Sequence, residues 1–187
     1  MTDFIHSTSP AQYWVIVPAA GVGSRMRSDR PKQYLPLAGK TVIEHTLNKL
    51  LDYPLFDTLL VGLSADDQYW DTLPLSQNNR IVRYDGGQER VDTVLNGLHA
   101  IAHQAKPDDW VLVHDAARPL VTLADIERLL SECINADEGG ILASKVKDTI
   151  KRGATHSQQT VPRDDLWQAL TPQLFKYHDL MQALQTA

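Results

Sequence analysis

The chain has 187 residues, 43% of them hydrophobic and 22% charged, with a formal net charge of -5 at pH 7. That length fits one domain with a substantial core, and the composition is that of an ordinary globular protein. The acidic balance, with a pI of about 5.7, argues against a general nucleic-acid binder, and no apolar run approaches the length of a membrane span.

The N-terminal residues Met1 to His6 carry neither a basic segment nor an apolar stretch, so no signal peptide is expected. The first apolar run, Tyr13-Trp14-Val15-Ile16-Val17, reads as a buried strand. It leads into Pro18-Ala19-Ala20-Gly21-Val22-Gly23-Ser24-Arg25-Met26. Glycines and alanines there remove side-chain bulk, which lets backbone N–H groups cradle an anion such as a phosphate. The cations Arg25, Arg27, Arg30 and Lys32 follow, and local positive charge on an acidic chain suits a polyphosphate. A tight turn with solvated arginines is the plainer reading. Two glycine motifs are excluded: the third glycine of the dinucleotide fingerprint falls on Met26, and the first glycine of a Walker A loop ending at Gly39-Lys40-Thr41 falls on Tyr34.

Further along, an amphipathic helix is expected from Thr41, which has capping-box spacing to Glu44, with Val42, Ile43, Leu47, Leu50 and Leu51 inward. Residues 58–63 and 80–84 read as strands. The second ends at Asp85-Gly86-Gly87, which permits either a plain turn or close approach of a ligand to the backbone. A helix follows over about 89–102, with Val91, Val94, Leu95, Leu98 and Ile101 inward. His99 and His103 have a possible metal spacing on it but lie off the apolar stripe, so no metal site is expected there. The strand 110–114 runs into Asp115-Ala116-Ala117-Arg118-Pro119. A carboxylate and a guanidinium there suit a sugar, phosphates or a metal, or else a structural ion pair. His114 is expected to fix local structure rather than transfer protons.

A third helix follows Thr122, with Asp125 three positions on, and residues 140–144 form the last predicted strand. Cys133, the single cysteine, sits beside Leu129, Leu130 and Ile134 at helical spacing and reads as a core thiol. Trp14, Trp110 and Trp167 are expected in the core or an interface, and Trp70 partly exposed. Residues 145–163 are too polar to build a core and read as a mobile loop or as an arm that packs on a second subunit. The alternation of strands and helices predicts a mostly parallel sheet covered on both faces, with ligands at the carboxyl ends of its strands.

Taken together, Ala19 to Met26, Pro31-Lys32-Gln33-Tyr34, Gly86-Gly87 and His114 to Pro119 resemble the 2-C-methyl-D-erythritol 4-phosphate cytidylyltransferases, a family of nucleotidyltransferases. Asp148-Thr149-Ile150-Lys151 and Leu170-Thr171-Pro172-Gln173 extend the resemblance, which runs from about Trp14 to the last residue. It implies a Rossmann-like α/β fold with a protruding β-arm, forming a single domain over 1–187 with a dimerisation arm at about 145–163. It also implies cytidylyl transfer from CTP to 2-C-methyl-D-erythritol 4-phosphate, releasing pyrophosphate, with Mg²⁺, in a cytoplasmic homodimer of isoprenoid biosynthesis that binds neither nucleic acid nor membrane.

Residue by residue, the resemblance makes Arg25 and Lys32 the cations at the α-phosphate, with Arg163 a third catalytic cation. Ala19, Ala20, Gly21 and Gly23 match the CTP-phosphate loop, and Gly87 and Thr93 the surroundings of the cytosine. Asp115, Ala116 and Arg118 fall at the ribose, metal and substrate end, Asp115 being the candidate metal ligand beside the CTP phosphates. Arg118, Thr149, Arg163 and Thr171 match the methylerythritol-phosphate site. Family members continue past the position of Ala187, through a segment bearing a lysine that helps position the substrate phosphate, so the C-terminal part of the family domain is expected to be missing. A cytidylyltransferase for another sugar-alcohol phosphate, such as ribitol 5-phosphate, is the near rival. A truncated CTP-binding module without activity is the rival of another class.

Overall fold

The computed structural model describes residues 11–21 and 30–186. Strand β1 (Tyr13–Pro18) opens the chain. A single 3₁₀ turn, Lys32–Tyr34, precedes a small hairpin of β2 (Pro36–Leu37) and β3 (Lys40–Thr41). Gly39, at φ 84°, turns that hairpin in the left-handed region that glycine adopts without steric cost. Helix α1 (Val42–Leu51) starts where the sequence placed it: the Thr41 hydroxyl accepts from the Glu44 N–H, and the Glu44 carboxylate accepts from the Thr41 N–H.

Strands β4 (Leu59–Leu63) and β5 (Ile81–Asp85) come next, then helix α2 (Arg90–Ala100), strand β6 (Trp110–Val113), helix α3 (Leu123–Ala136) and strand β7 (Gly140–Lys145). All five predicted long strands are present within a residue or so of their expected ends. The short strands β8 (Ile150–Arg152) and β9 (Gln159–Val161) then pair as an antiparallel hairpin, and β10 (Trp167–Lys176) and α4 (Tyr177–Gln185) complete the described chain.

The main sheet has the order β5-β4-β1-β6-β10-β7. Strands β5, β4, β1 and β6 are parallel neighbours, and β10 inserts antiparallel between β6 and β7. Side chains alternate across it as the pleat requires. Val15 and Val17 face α1 and α3, packing with Ile43, Leu47, Ile126 and Leu129. Ile16 and Leu60 face α2 and α4, with Val94, Leu98 and Leu180. Each fully buried side chain of this size contributes roughly 1.5–3 kcal/mol, so two covered faces supply the bulk of the driving force.

Two expectations, for Val91 and Trp70, need correction. Val91 is 41% exposed, not inward. It lies in the first turn of α2, which stands beyond the carboxyl end of β6, where Arg90 reaches Asp115. Cys133 is the core thiol expected, buried with Leu129 and Leu130, while its neighbour Ile134 is 40% exposed. Trp70 is buried, because Asp67 accepts the N–H groups of Tyr69 and Trp70 and closes a turn that folds the indole against the core. Trp167, expected in the core or an interface, is 57% exposed and lies outside the core, with the Lys145 ammonium over its ring, which leaves the interface as its expected place.

Residues 145–163 are not a featureless loop. The β8–β9 hairpin pairs Ile150 with Val161 and Arg152 with Gln159. At its base, Arg163 donates to the Lys147 carbonyl, and the Val146 N–H donates to the Leu166 carbonyl. Apart from three half-buried side chains, Val146, Ile150 and Val161, this arm is exposed.

Candidate active site

The carboxyl ends of β1, β5 and β6 bring together most of the residues singled out by sequence. After β1 the chain turns through Ala19, Ala20 and Gly21; Gly23 and Arg25 lie outside the described residues. The Ala19 N–H donates to the Gly62 carbonyl, which ties the loop to the end of β4. On the other side, the side-chain amide of Gln33, 3% exposed, donates to the carbonyls of Ala19 (2.8 Å) and Gly21 (3.2 Å). Lys32, next to it, is exposed.

The glycine pair after β5 has a steric reason. A Cβ on Gly86 would sit 2.5 Å from the Cβ of Ala20, and one on Gly87 would sit 2.1 Å from the Cβ of Asp92. Both are closer than real Cβ atoms come, so the β1 loop and the β5 turn touch only because neither carries bulk there. Thr93, 2% exposed, uses its hydroxyl internally: it accepts from the Gly87 N–H and donates to the Glu89 carbonyl. It therefore shapes the turn through the backbone of Gly87.

The turn after β6 is held from below. Thr46, fully buried on α1, donates to the Ala116 carbonyl at 2.9 Å, and Lys49 donates to the Pro119 carbonyl at 3.1 Å. His114, fully buried, donates from Nε2 to the Arg118 carbonyl, since a carbonyl can only accept. Its Nδ1 is then the acceptor for the Thr171 hydroxyl, whose oxygen in turn accepts from the Asp115 N–H. Burial pushes the His114 pKa below its ordinary value, so the neutral ring that this pattern needs is the one favoured. The structural role expected of His114 is the one observed, and Thr171, 9% exposed, belongs to the same chain of bonds.

The Asp115 carboxylate lies between two guanidiniums, with Arg90 Nε at 2.8 Å from one oxygen and Arg118 Nε at 3.0 Å from the other. Burial raises its pKa, but Arg90 and Arg118 outweigh burial and hold it below the ordinary carboxylate value. Asp115 is thus ionised, and the expected pair with Arg118 is a triad with Arg90. Each carboxylate oxygen keeps a further lone pair, enough for a cation carried mainly by phosphates, which needs only one or two protein carboxylates. Among the described residues no group of three or more His, Cys, Asp or Glu could hold a metal by itself.

Thr149 and Arg163 lie on the exposed arm rather than in this cluster. Arg90 and Thr46 are not singled out by the sequence, and Gln33 stands there only as part of the Pro31-Lys32-Gln33-Tyr34 motif. Only the missing partner of a buried carbonyl, or of a lone carboxylate, could have pointed to them. Beside the cluster, a groove of about 910 Å³ opens between α3, β7 and β10, sharing Arg118 and Thr171 with it but not the β1 loop. It is lined by the turn 117–121 after β6, the flank of α3 and the edge strand β7.

A mostly parallel sheet whose first strand delivers an open backbone loop, with charged groups at the same carboxyl ends, is the architecture of a Rossmann-like α/β protein that takes its ligand at the strand ends. Comparison with known proteins narrows the class. The family profile described as 2-C-methyl-D-erythritol 4-phosphate cytidylyltransferase matches residues 13–187, and the chain belongs to that family. It is 64% identical over 172 residues to the protein of that name from Pseudoalteromonas translucida, covering 92% of this chain and 70% of the relative. The Vibrio cholerae protein is 54% identical over 175 residues, covering 92% and 75% respectively. Among solved structures, a 4-diphosphocytidyl-2C-methyl-D-erythritol synthase superposes with a TM-score of 0.83 at 36% identity, covering 96% of this chain and 82% of that one. The Francisella tularensis cytidylyltransferase gives 0.82 at 37%, covering 94% and 77%.

Proposed function

We propose that this chain transfers the cytidylyl group of CTP to 2-C-methyl-D-erythritol 4-phosphate, forming 4-diphosphocytidyl-2-C-methyl-D-erythritol and pyrophosphate in isoprenoid biosynthesis. The observation that carries the reading is the meeting of the family's motifs at one sheet edge: the β1 loop, the Gly86–Gly87 turn and the Asp115–Arg118 turn.

In this reaction an oxygen of the substrate phosphate attacks the α-phosphorus, a new P–O bond forms, and the α–β bond breaks to release pyrophosphate. The attacking oxygen is already ionised, so no protein base is needed. The task is to hold two anions in line and neutralise the charge that builds up between them. We assign the triphosphate to the backbone of Ala20, Gly21 and Gly23, with Ala19, whose N–H is on the Gly62 carbonyl, tying that loop to the sheet rather than donating to a phosphate, and the cytosine to the turn of Gly87 and Thr93. The α-phosphate falls to Arg25 and Lys32, and the ribose end to Asp115 and Ala116. Arg118, Thr149, Arg163 and Thr171 serve the methylerythritol phosphate, Thr171 by fixing the backbone of Asp115. Mg²⁺, borne by the phosphates with Asp115 as its one protein carboxylate, would supply further charge neutralisation. Thr149 and Arg163 reach a substrate through a homodimer in which the exposed arm lies against a second subunit. No described helix is long and apolar enough to cross a membrane; the single buried thiol is in keeping with work in the cytoplasm.

Pyrophosphate release with CTP and methylerythritol phosphate, measured against UTP, ATP and ribitol 5-phosphate, tests the reading. CTP and methylerythritol phosphate should be preferred, and excess chelator should stop turnover. Equal use of ribitol 5-phosphate, or CTP binding without release, would overturn it.

A further inference from the structure

We propose that Gln33 is the positioning residue of the anion loop, pinning the carbonyls of Ala19 and Gly21 so that neither oxygen turns toward the phosphates of the nucleotide. This rests on the reading of that loop as the triphosphate site.

A loop of Ala19, Ala20 and Gly21 has no side chain able to fix its own peptide planes. A plane turned the wrong way would set a carbonyl oxygen against a phosphate, exchanging attraction for repulsion. Gln33 supplies the missing constraint, because both bonds come from its one amide nitrogen, whose two hydrogens suit two acceptors. The choice of residue is informative. A side chain 3% exposed at this place would ordinarily be apolar, and an amide is tolerated there because its two hydrogens meet two backbone carbonyls. The anchor is itself anchored. Tyr34, 2% exposed, donates to the Asp67 carboxylate at 2.7 Å and stacks on Tyr69 with ring centroids 5.1 Å apart. Pro31, at φ -58°, fixes the entry to the same 3₁₀ turn. The loop therefore takes its shape from the turn, and that turn also carries Lys32.

The test compares Gln33→Leu and Gln33→Glu with the unaltered chain, reading CTP affinity by calorimetry, kcat and KM for CTP, and the thermal midpoint. The unaltered chain must bind CTP; if it does not, the triphosphate-site reading falls, independently of Gln33. If it does, Gln33→Leu should weaken CTP binding about tenfold or more at every pH, the scale of one lost neutral hydrogen bond or somewhat more. The larger change should lie in KM rather than kcat. Gln33→Glu sets an acceptor against two acceptors, so binding should be poor at alkaline pH. It should recover as the pH falls, because the introduced carboxyl, once protonated, can donate to the Ala19 carbonyl. Unchanged CTP affinity in both variants, even with a lowered thermal midpoint, would reduce Gln33 to a packing residue and overturn the proposal. So would a Gln33→Glu defect that shows no recovery toward acid.

Discussion

Asp115 is held by Arg90 and Arg118 without using up its capacity to accept. Both arginine side chains are nearly half exposed, at 47% and 45%, so solvent screens the Coulomb part and little stability rests on it. What they fix is direction. Arg90→Ala should therefore lower kcat/KM about tenfold while shifting the thermal midpoint little, and a large midpoint loss with normal kinetics would contradict that. Lys32 is exposed, and the role proposed for it is at the transition state, where the α-phosphorus is most crowded with charge. Lys32→Ala should cost about 10²–10³-fold in kcat, with CTP affinity falling much less, and near-normal kcat with raised KM would refute the role. His114 adds a pH dependence. Its folded pKa lies below the ordinary 6.5 because the ring is buried. The unfolded chain thus takes up a proton that the folded chain refuses, and stability falls as the pH drops through about 6.5 toward the folded value. Urea titrations from about pH 7.5 to about pH 5 should show this slope, and it should shrink in His114→Phe, whose ring cannot titrate. Lys32, Asp115 and Arg118 were legible in the sequence because their neighbours form compact motifs. Arg90 and Thr46 were not, because their partners lie 25 and 70 residues away, a distance only the fold closes.

The elements follow from local rules where those rules are uncontested. The Thr41–Glu44 and Thr122–Asp125 boxes mark the starts of α1 and α3 to the residue. Thr122→Ala, which removes the acceptor for the Asp125 N–H, should cost about 1 kcal/mol, or about 2–4 °C in a domain of this size, by calorimetry. A smaller shift would mean the box is redundant with packing. The Glu89–Asp92 box was missed because glutamate is an unusual first member of such a pair. Strand β10 was missed for a different reason. Pro172 reads as a breaker, since proline gives no N–H to a ladder. The register shift between Ala169 and Gln173 absorbs it: pairing with β7 resumes at Gln173, and Leu174 is fully buried beyond it. That irregularity also lies beside Thr171, so the least readable part of the strand delivers the hydroxyl that joins β10 to His114.

At the scale of the whole molecule, the arm is the part that the core does not explain. Strands β8 and β9 satisfy each other's backbone, yet they bury almost nothing, and a two-stranded hairpin alone is marginal in water. A second subunit would supply the missing contacts. Sedimentation should therefore give a dimer at micromolar concentration, and removal of residues 149–161 should give a monomer whose sheet stays folded by circular dichroism. A dimer that survives this deletion would place the interface elsewhere. The distribution of the four tryptophans offers an optical view of the same question. Trp70 and Trp110 are 3% and 5% exposed, and Trp14 is half-buried with its indole N–H on Asp109, whereas Trp167 is 57% exposed at the base of the arm. Red-edge emission and access to an aqueous quencher thus report mainly on one ring, so the protein carries its own fluorophore at the place where a neighbour would arrive.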